Sequence, residues 1–144
     1  MDKLKEIYLT DTGRLNRLKF FKYAIILGIV ESIALAIIIA MFSDEYGFLT
    51  ETGNTFSDLL LLASIVPYYF ITVKRVHDFS KDSVLAKVLM ALCAYMILIP
   101  DDTYYFLWGP LDYLVSLANT VLTLYVVFKS GTKGENQYGP DPLQ

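Results

Sequence analysis

The residues best equipped for chemistry in this 144-residue chain are His77 and Asp78, side by side in the run Lys74-Arg75-Val76-His77-Asp78-Phe79-Ser80-Lys81. A carboxylate can orient an imidazole for acid–base work. Adjacent residues do not generally place their side chains in that geometry, and no obvious nucleophile accompanies them. A metal centre would want more ligands than one histidine and scattered carboxylates, and the composition supplies a single His and a single Cys, Cys93. Gly131-Thr132-Lys133-Gly134 has neither the spacing nor the strand-to-helix setting of a phosphate loop. These patterns point away from an enzyme. No catalytic residue, metal ligand or cofactor is expected, and no nucleic-acid partner.

Glu31 presents a different problem, because it stands about halfway along an apolar run. A charge at the centre of a bilayer costs roughly 2.5–3.5 kcal/mol on insertion scales, so Glu31 should face protein rather than lipid. Gly28, Ser32, Ala36 and Ala40 recur beside it at four-residue spacing, a ridge along which another helix can approach closely. In the last apolar run Asp112, Ser116, Asn119, Thr120 and Thr123 recur at three- and four-residue intervals, which places them on one side of a helix. Asn119 falls at the depth of Glu31. The first and fourth apolar helices are therefore expected to pack together, with Glu31 hydrogen-bonded to Asn119 or Thr123. Lys87 is the alternative partner, long enough to reach inward from the start of the third run. Such a cluster acts as glue between helices or as a proton or ion pathway. With no second charge at that depth, glue is the favoured reading.

The elements that position these residues are four apolar blocks, at about 20–42, 57–73, 84–99 and 110–128. Hydrophobic residues make up 55 % of the chain and charged residues 19 %, against about 45–50 % and about 25 % in soluble domains. The apolar residues are blocked together and the charges lie between them. About 20 apolar residues at 1.5 Å rise span a ~30 Å hydrocarbon core. The second and third blocks are short for that and should be extended by snorkelling of Lys74, Arg75 and Lys87. Pro67 lies inside the second block and should kink it. A soluble bundle would need polar outer faces of period 3.6, which these blocks lack. The expected fold is all-α, one integral membrane four-helix bundle occupying 1–144.

Loop charges give the orientation. The connection 43–56 carries Asp44, Glu45 and Glu51, and the connection 100–109 carries Asp101 and Asp102, with no Lys or Arg in either. The twelve basic residues precede or enter the first block, surround the second connection, and follow the fourth block. Positive charge is retained on the cytoplasmic side during insertion, so segment 1–19, the middle connection and tail 129–144 should all be cytoplasmic. Tyr104, Tyr105 and Trp108 would mark the outer interface, and Phe20, Phe21 and Tyr23 the inner one. Leu4, Ile7 and Tyr8 are spaced for one helical face, and segment 1–19 either lies along the inner leaflet or forms a disordered tail.

Three segments on that side carry more than loops require: Gly13-Arg14-Leu15-Asn16-Arg17, where Asn16 can cap a helix start; the His77-Asp78 run; and Gly131-Thr132-Lys133-Gly134-Glu135-Asn136-Gln137-Tyr138-Gly139-Pro140-Asp141-Pro142. Together they resemble the domain-of-unknown-function 805 family of small bacterial inner-membrane proteins, over nearly the whole chain. Ser80 and Asp82 stand where that pattern has glycine and a small residue. The resemblance implies a multi-pass bacterial inner-membrane protein and no assigned reaction.

Asp78 and Asp141 are expected to pair with Arg14, Arg17 or Arg75, and Tyr138 to pack on the inner ends of the helices, making one ordered cap with His77, Lys133 and Asn136. The function expected is non-enzymatic binding of membrane lipids, a protein partner or a second copy through that cap. The alternative is a small transporter or channel built on Glu31 and the polar side of the fourth helix.

Overall fold

A computed structural model describes residues 2–98 and 109–143, which form five helices and no strand. They are α1 (Asp2–Tyr8), α2 (Arg17–Phe42), α3 (Glu51–Asp78), α4 (Val84–Leu98) and α5 (Pro110–Phe128). The expected connection 100–108, with Asp101, Asp102, Tyr104, Tyr105 and Trp108, lies outside the described residues.

Local chemistry sets the boundaries. The Asn16 side chain accepts the Lys19 N–H at 2.9 Å, starting α2 where a cap was expected. The Thr50 hydroxyl accepts the Gly53 N–H at 3.2 Å and starts α3 at Glu51, well ahead of 57. Gly53 must lack a Cβ, which would stand 2.8 Å from that of Phe42 and 2.7 Å from Leu49. At its other end α3 runs through Pro67 and past 73 to Asp78. Its 28 residues reach about 42 Å at 1.5 Å per residue, so the second crossing does not depend on snorkelling. For α5, Pro110 occupies the first helical position and Asp112 accepts the Gly109 N–H at 2.7 Å.

The helices pack mainly in chain order, α2 on α3, α3 on α4, and α4 on α5, while α2 and α5 touch only slightly. This corrects the expected pairing of the first and fourth apolar helices. The small-residue ridge is corrected with it: Ser32, Ala36 and Ala40 are exposed, and only Gly28 approaches a neighbour, Tyr68 of α3.

Burial is inverted relative to a water-soluble protein. Of the 26 residues of α2 only Phe20 is buried, while Ile25, Ile29, Val30, Ile33 and Ile37 lie open, as do Leu114, Leu117, Val121 and Leu124 of α5. Apolar surface on this scale needs an apolar solvent. Three helices, α2, α3 and α5, are long and apolar enough to cross a membrane, and α4 is a shorter apolar helix. The chain is a membrane protein. Its buried core gathers at one end, where Leu15, Phe20, Ile71, Val73, Val76, Phe79, Ala86 and Val126 surround the last turns of α3.

Candidate functional site

The end of α3 draws every other part of that core to itself. The last carbonyls of any helix lack partners within it; here local N–H groups of residues 79–81 meet Val76 and His77, and three carbonyls near the end receive a donor from a distant segment. The Leu15 N–H donates to the Lys74 carbonyl at 3.0 Å, and the Thr132 N–H to the Asp78 carbonyl at 2.8 Å. The Asn136 amide reaches the His77 carbonyl at 3.0 Å.

Two adjacent cations of α3 repeat the logic outward. Lys74 donates from Nζ to the Glu6 and Ile7 carbonyls, the latter at 3.1 Å, and so caps α1. Arg75 donates from Nε to the Val126 carbonyl at 3.0 Å, and from Nη2 to the Lys129 carbonyl, and so caps α5. Cations are favoured at helix C-termini, where the dipole is negative.

At the centre Asp78 meets two guanidinium groups. Arg75 Nη1 donates to Oδ2 at 2.6 Å, and Arg14 Nη2 donates to Oδ1 at 3.1 Å. The side chains of Arg14, Arg75 and Asp78 are 1 %, 0 % and 4 % exposed. Two cations on one buried carboxylate leave positive charge over, and tail carbonyls offset it. Arg14 donates to Thr132 and Gly134 at 2.7 Å and to Gly139 at 3.2 Å. A Cβ on Gly131 would collide with the Asp78 carboxylate, so the tail can pass only as glycine.

Around this centre the tail folds on itself. Asn136 accepts the Tyr138 N–H at 2.9 Å and exchanges both backbone hydrogen bonds with Gly139, whose φ of +127° suits glycine. Asp141 accepts the Gly134 and Leu143 N–H groups, each at 2.9 Å, and these hold its carboxyl below the ordinary 3.8. Tyr138 lies flat on His77, ring centroids 3.7 Å apart and planes 2° apart.

The expected cap residues Arg14, Arg75, His77, Asp78, Asn136, Tyr138 and Asp141 thus meet in one cluster. Two details are corrected. Arg17 and Lys133 are exposed and stand outside the network. Asp141 takes backbone N–H groups rather than an arginine, because Asp78 already occupies both. His77 stacks on Tyr138 while Asp78 is held by arginines, so no His–Asp dyad forms. Sequence reasoning missed Thr132, whose hydroxyl lies within hydrogen-bonding distance of Arg14, Asn136 and the Asp78 carbonyl. It also missed Lys74 as the cap of α1. The signal for Thr132 was its place inside the tail motif.

The intramembrane polar residues do not converge as expected. Glu31 accepts the Ser64 hydroxyl of α3 at 2.7 Å, and the Tyr68 hydroxyl of α3 donates to the Ala24 carbonyl of α2 at 3.4 Å. Asn119 accepts the Cys93 thiol at 3.6 Å and Asp112 the Tyr95 hydroxyl at 3.0 Å, both from α4. Thr123 and Lys87 are exposed. Each polar group is matched across the seam its helix actually forms, which for α2 is α3 and for α5 is α4. The described residues contain no group of three or more His, Cys, Asp or Glu placed to hold a metal ion.

Apolar helices exposed along their length, locked at one end by a buried Arg–Asp–Arg centre, define a membrane protein with an ordered cap. The chain belongs to the family described as protein of unknown function (DUF805), whose model matches residues 8–140. That span includes the first two segments of the cap and the third as far as Pro140. No curated protein and no solved structure matches the chain.

Proposed function

We propose that this is a non-enzymatic, four-crossing protein of the bacterial inner membrane with both termini cytoplasmic, binding lipid or a protein partner through the outer face of its cap. The observation that carries the reading is the buried Arg14–Asp78–Arg75 centre, which joins the Arg14 segment to the end of α3 and, through the bonds of Arg14 to Thr132 and Gly134, to the tail. Groups this buried and this fully hydrogen-bonded do not meet a substrate. They hold a shape, and a fixed shape is what a recognition surface needs. The cations left on its outside include Arg17 and Lys133, well suited to phosphate or carboxylate groups. The basic residues cluster at the cap end, which supports a cytoplasmic assignment through the bias of insertion.

Native mass spectrometry of the purified protein tests this. Bound lipid or protein should be retained by the wild type and lost in Arg17→Gln with Lys133→Gln, with the fold intact. Retention in that double variant would refute a role for the outer face. A transporter or channel is the second reading, favoured by one observation: a carboxylate, Glu31, fastened to Ser64 between two apolar helices. Proton flux in liposomes that is unchanged by Glu31→Gln would remove it.

A further inference from the structure

The cap has a flank that its internal bonding does not explain. α2 leaves the cap with Lys19, which also donates to the Pro142 carbonyl at 3.4 Å, and Lys22 exposed at the start of its apolar stretch, so these ammonium groups mark the level of the lipid headgroups. α1 is fastened to that level. The Tyr8 hydroxyl donates to the Tyr23 carbonyl at 3.4 Å, the two rings meet edge to face at 5.9 Å, and Lys74 holds the α1 carbonyls. Ile7 and Tyr8 pack against the core. Leu4 continues their helical face one turn further out, where it is 62 % exposed, and Leu9 is 54 % exposed just past the helix. Lys3 and Lys5 are exposed beside them, and Leu18 and Phe21 lie open near Lys19 and Lys22. The exposed acidic groups among these residues are Glu6 and Asp11, so cations predominate.

We propose that α1 and the first turns of α2 form a shelf for anionic phospholipid, with Leu4, Leu9 and Leu18 dipping into the headgroup boundary and Lys3, Lys5, Lys19 and Lys22 gripping phosphate. The proposal deepens the lipid arm of the reading above and rests on the membrane placement. Apolar side chains alone would fit any leaflet or a protein partner. Leucines flanked by ammonium groups, held rigidly beside a membrane-crossing helix, fit an anionic lipid surface.

The test places an environment-sensitive fluorophore at Leu9→Cys, in a Cys93→Ser background, in full-length protein reconstituted into nanodiscs. The discs contain phosphatidylcholine with or without phosphatidylglycerol, either lipid carrying a headgroup nitroxide quencher. Quenching at Leu9→Cys should exceed that at Gln137→Cys, and nitroxide phosphatidylglycerol should quench more than nitroxide phosphatidylcholine. Replacing Lys3 and Lys5 by Gln should lower that lipid preference, by up to about five-fold per lysine. Leu4→Cys gives a second reporter should Leu9→Cys disturb the fold. Equal quenching at Leu9→Cys and Gln137→Cys, or no preference between the two lipids, would overturn the shelf. None of these readouts involves Arg17 or Lys133, so failure of the shelf and failure of the outer-face reading are distinguishable.

Discussion

Asp78 balances two guanidinium groups with one carboxylate, all three nearly sealed from water. Removing its charge leaves both cations unneutralised in a poorly solvated place, which costs about 3–5 kcal/mol when a buried pair is broken. Asp78→Asn should therefore lower stability by about that much, read as the shift in a denaturant or thermal unfolding curve in detergent. A change below 1 kcal/mol would contradict the burial of the pair. Gly131→Ala sets a methyl group against the same carboxylate and should destabilise by about 1–3 kcal/mol, as overpacking does. Asp141 gives a pH dependence. Its folded pKa is depressed below 3.8 by the Leu143 and Gly134 N–H groups. Its contribution is thus fully present above that value and is lost as pH falls through the folded pKa. The tail should loosen in acid, followed as proteolytic sensitivity beyond residue 130. Asp141→Asn should show a loosened tail already at neutral pH, with the acid step reduced.

At this scale the sequence was legible where a side chain has one plausible job. Asn16 is a cap because a short amide stands just ahead of an apolar helix, and the structure shows it capping. The assignment of partners was harder. Arg14, Arg17 and Arg75 are equivalent as cations, and only the path of the chain decides that Arg17 stays outside. Ser80 shows the limit from the other side. It takes φ +58°, where the family pattern has glycine because a Cβ is strained there. Its hydroxyl offsets part of that strain by meeting the Asn136 amide at 3.1 Å.

Between elements, the apolar helices could be located from composition, but the short α1 and the neighbours of each helix could not. A polar face on α5 and a carboxylate on α2 at equal depth suggested one cluster. The seams run in chain order instead, and each polar group is answered across its own seam. Depth constrains a membrane residue along one axis only, and two more coordinates come from packing. The ends of α3 were misjudged for a related reason. The apolar block ends at 73 where charged residues begin, yet a helix continues through charges that find partners, as Lys74, Arg75 and Asp78 do. A double-mutant cycle checks the seams. Glu31→Ala with Ser64→Ala should show a coupling of about 0.6–1 kcal/mol, the range for hydrogen bonds between membrane helices. Glu31→Ala with Asn119→Ala should be additive. Coupling to Asn119 alone would return α2 to the face of α5.

Across the whole molecule, two ends of the chain are fastened to the end of one helix. Lys74 holds α1, Arg75 holds α5, and Asp78 with Arg14 clasps the tail between them. The three motifs are far apart in sequence because they belong to one object in space. That grouping was legible from their charges and from the expectation that all three stand at one end of the helices. The stacking of Tyr138 on His77 and the passage of Gly131 over Asp78 were not, since both depend on backbone paths that local pattern does not encode. Amide hydrogen exchange across the tail, in wild type and in Asp78→Asn, tests this arrangement most directly. Thr132, Gly134, Tyr138 and Gly139 should exchange slowly in the wild type, and quickly in the variant, while the amides at the centres of α2 and α3 stay protected in both. Wild-type tail amides that exchange as fast as an unstructured peptide would contradict the cap.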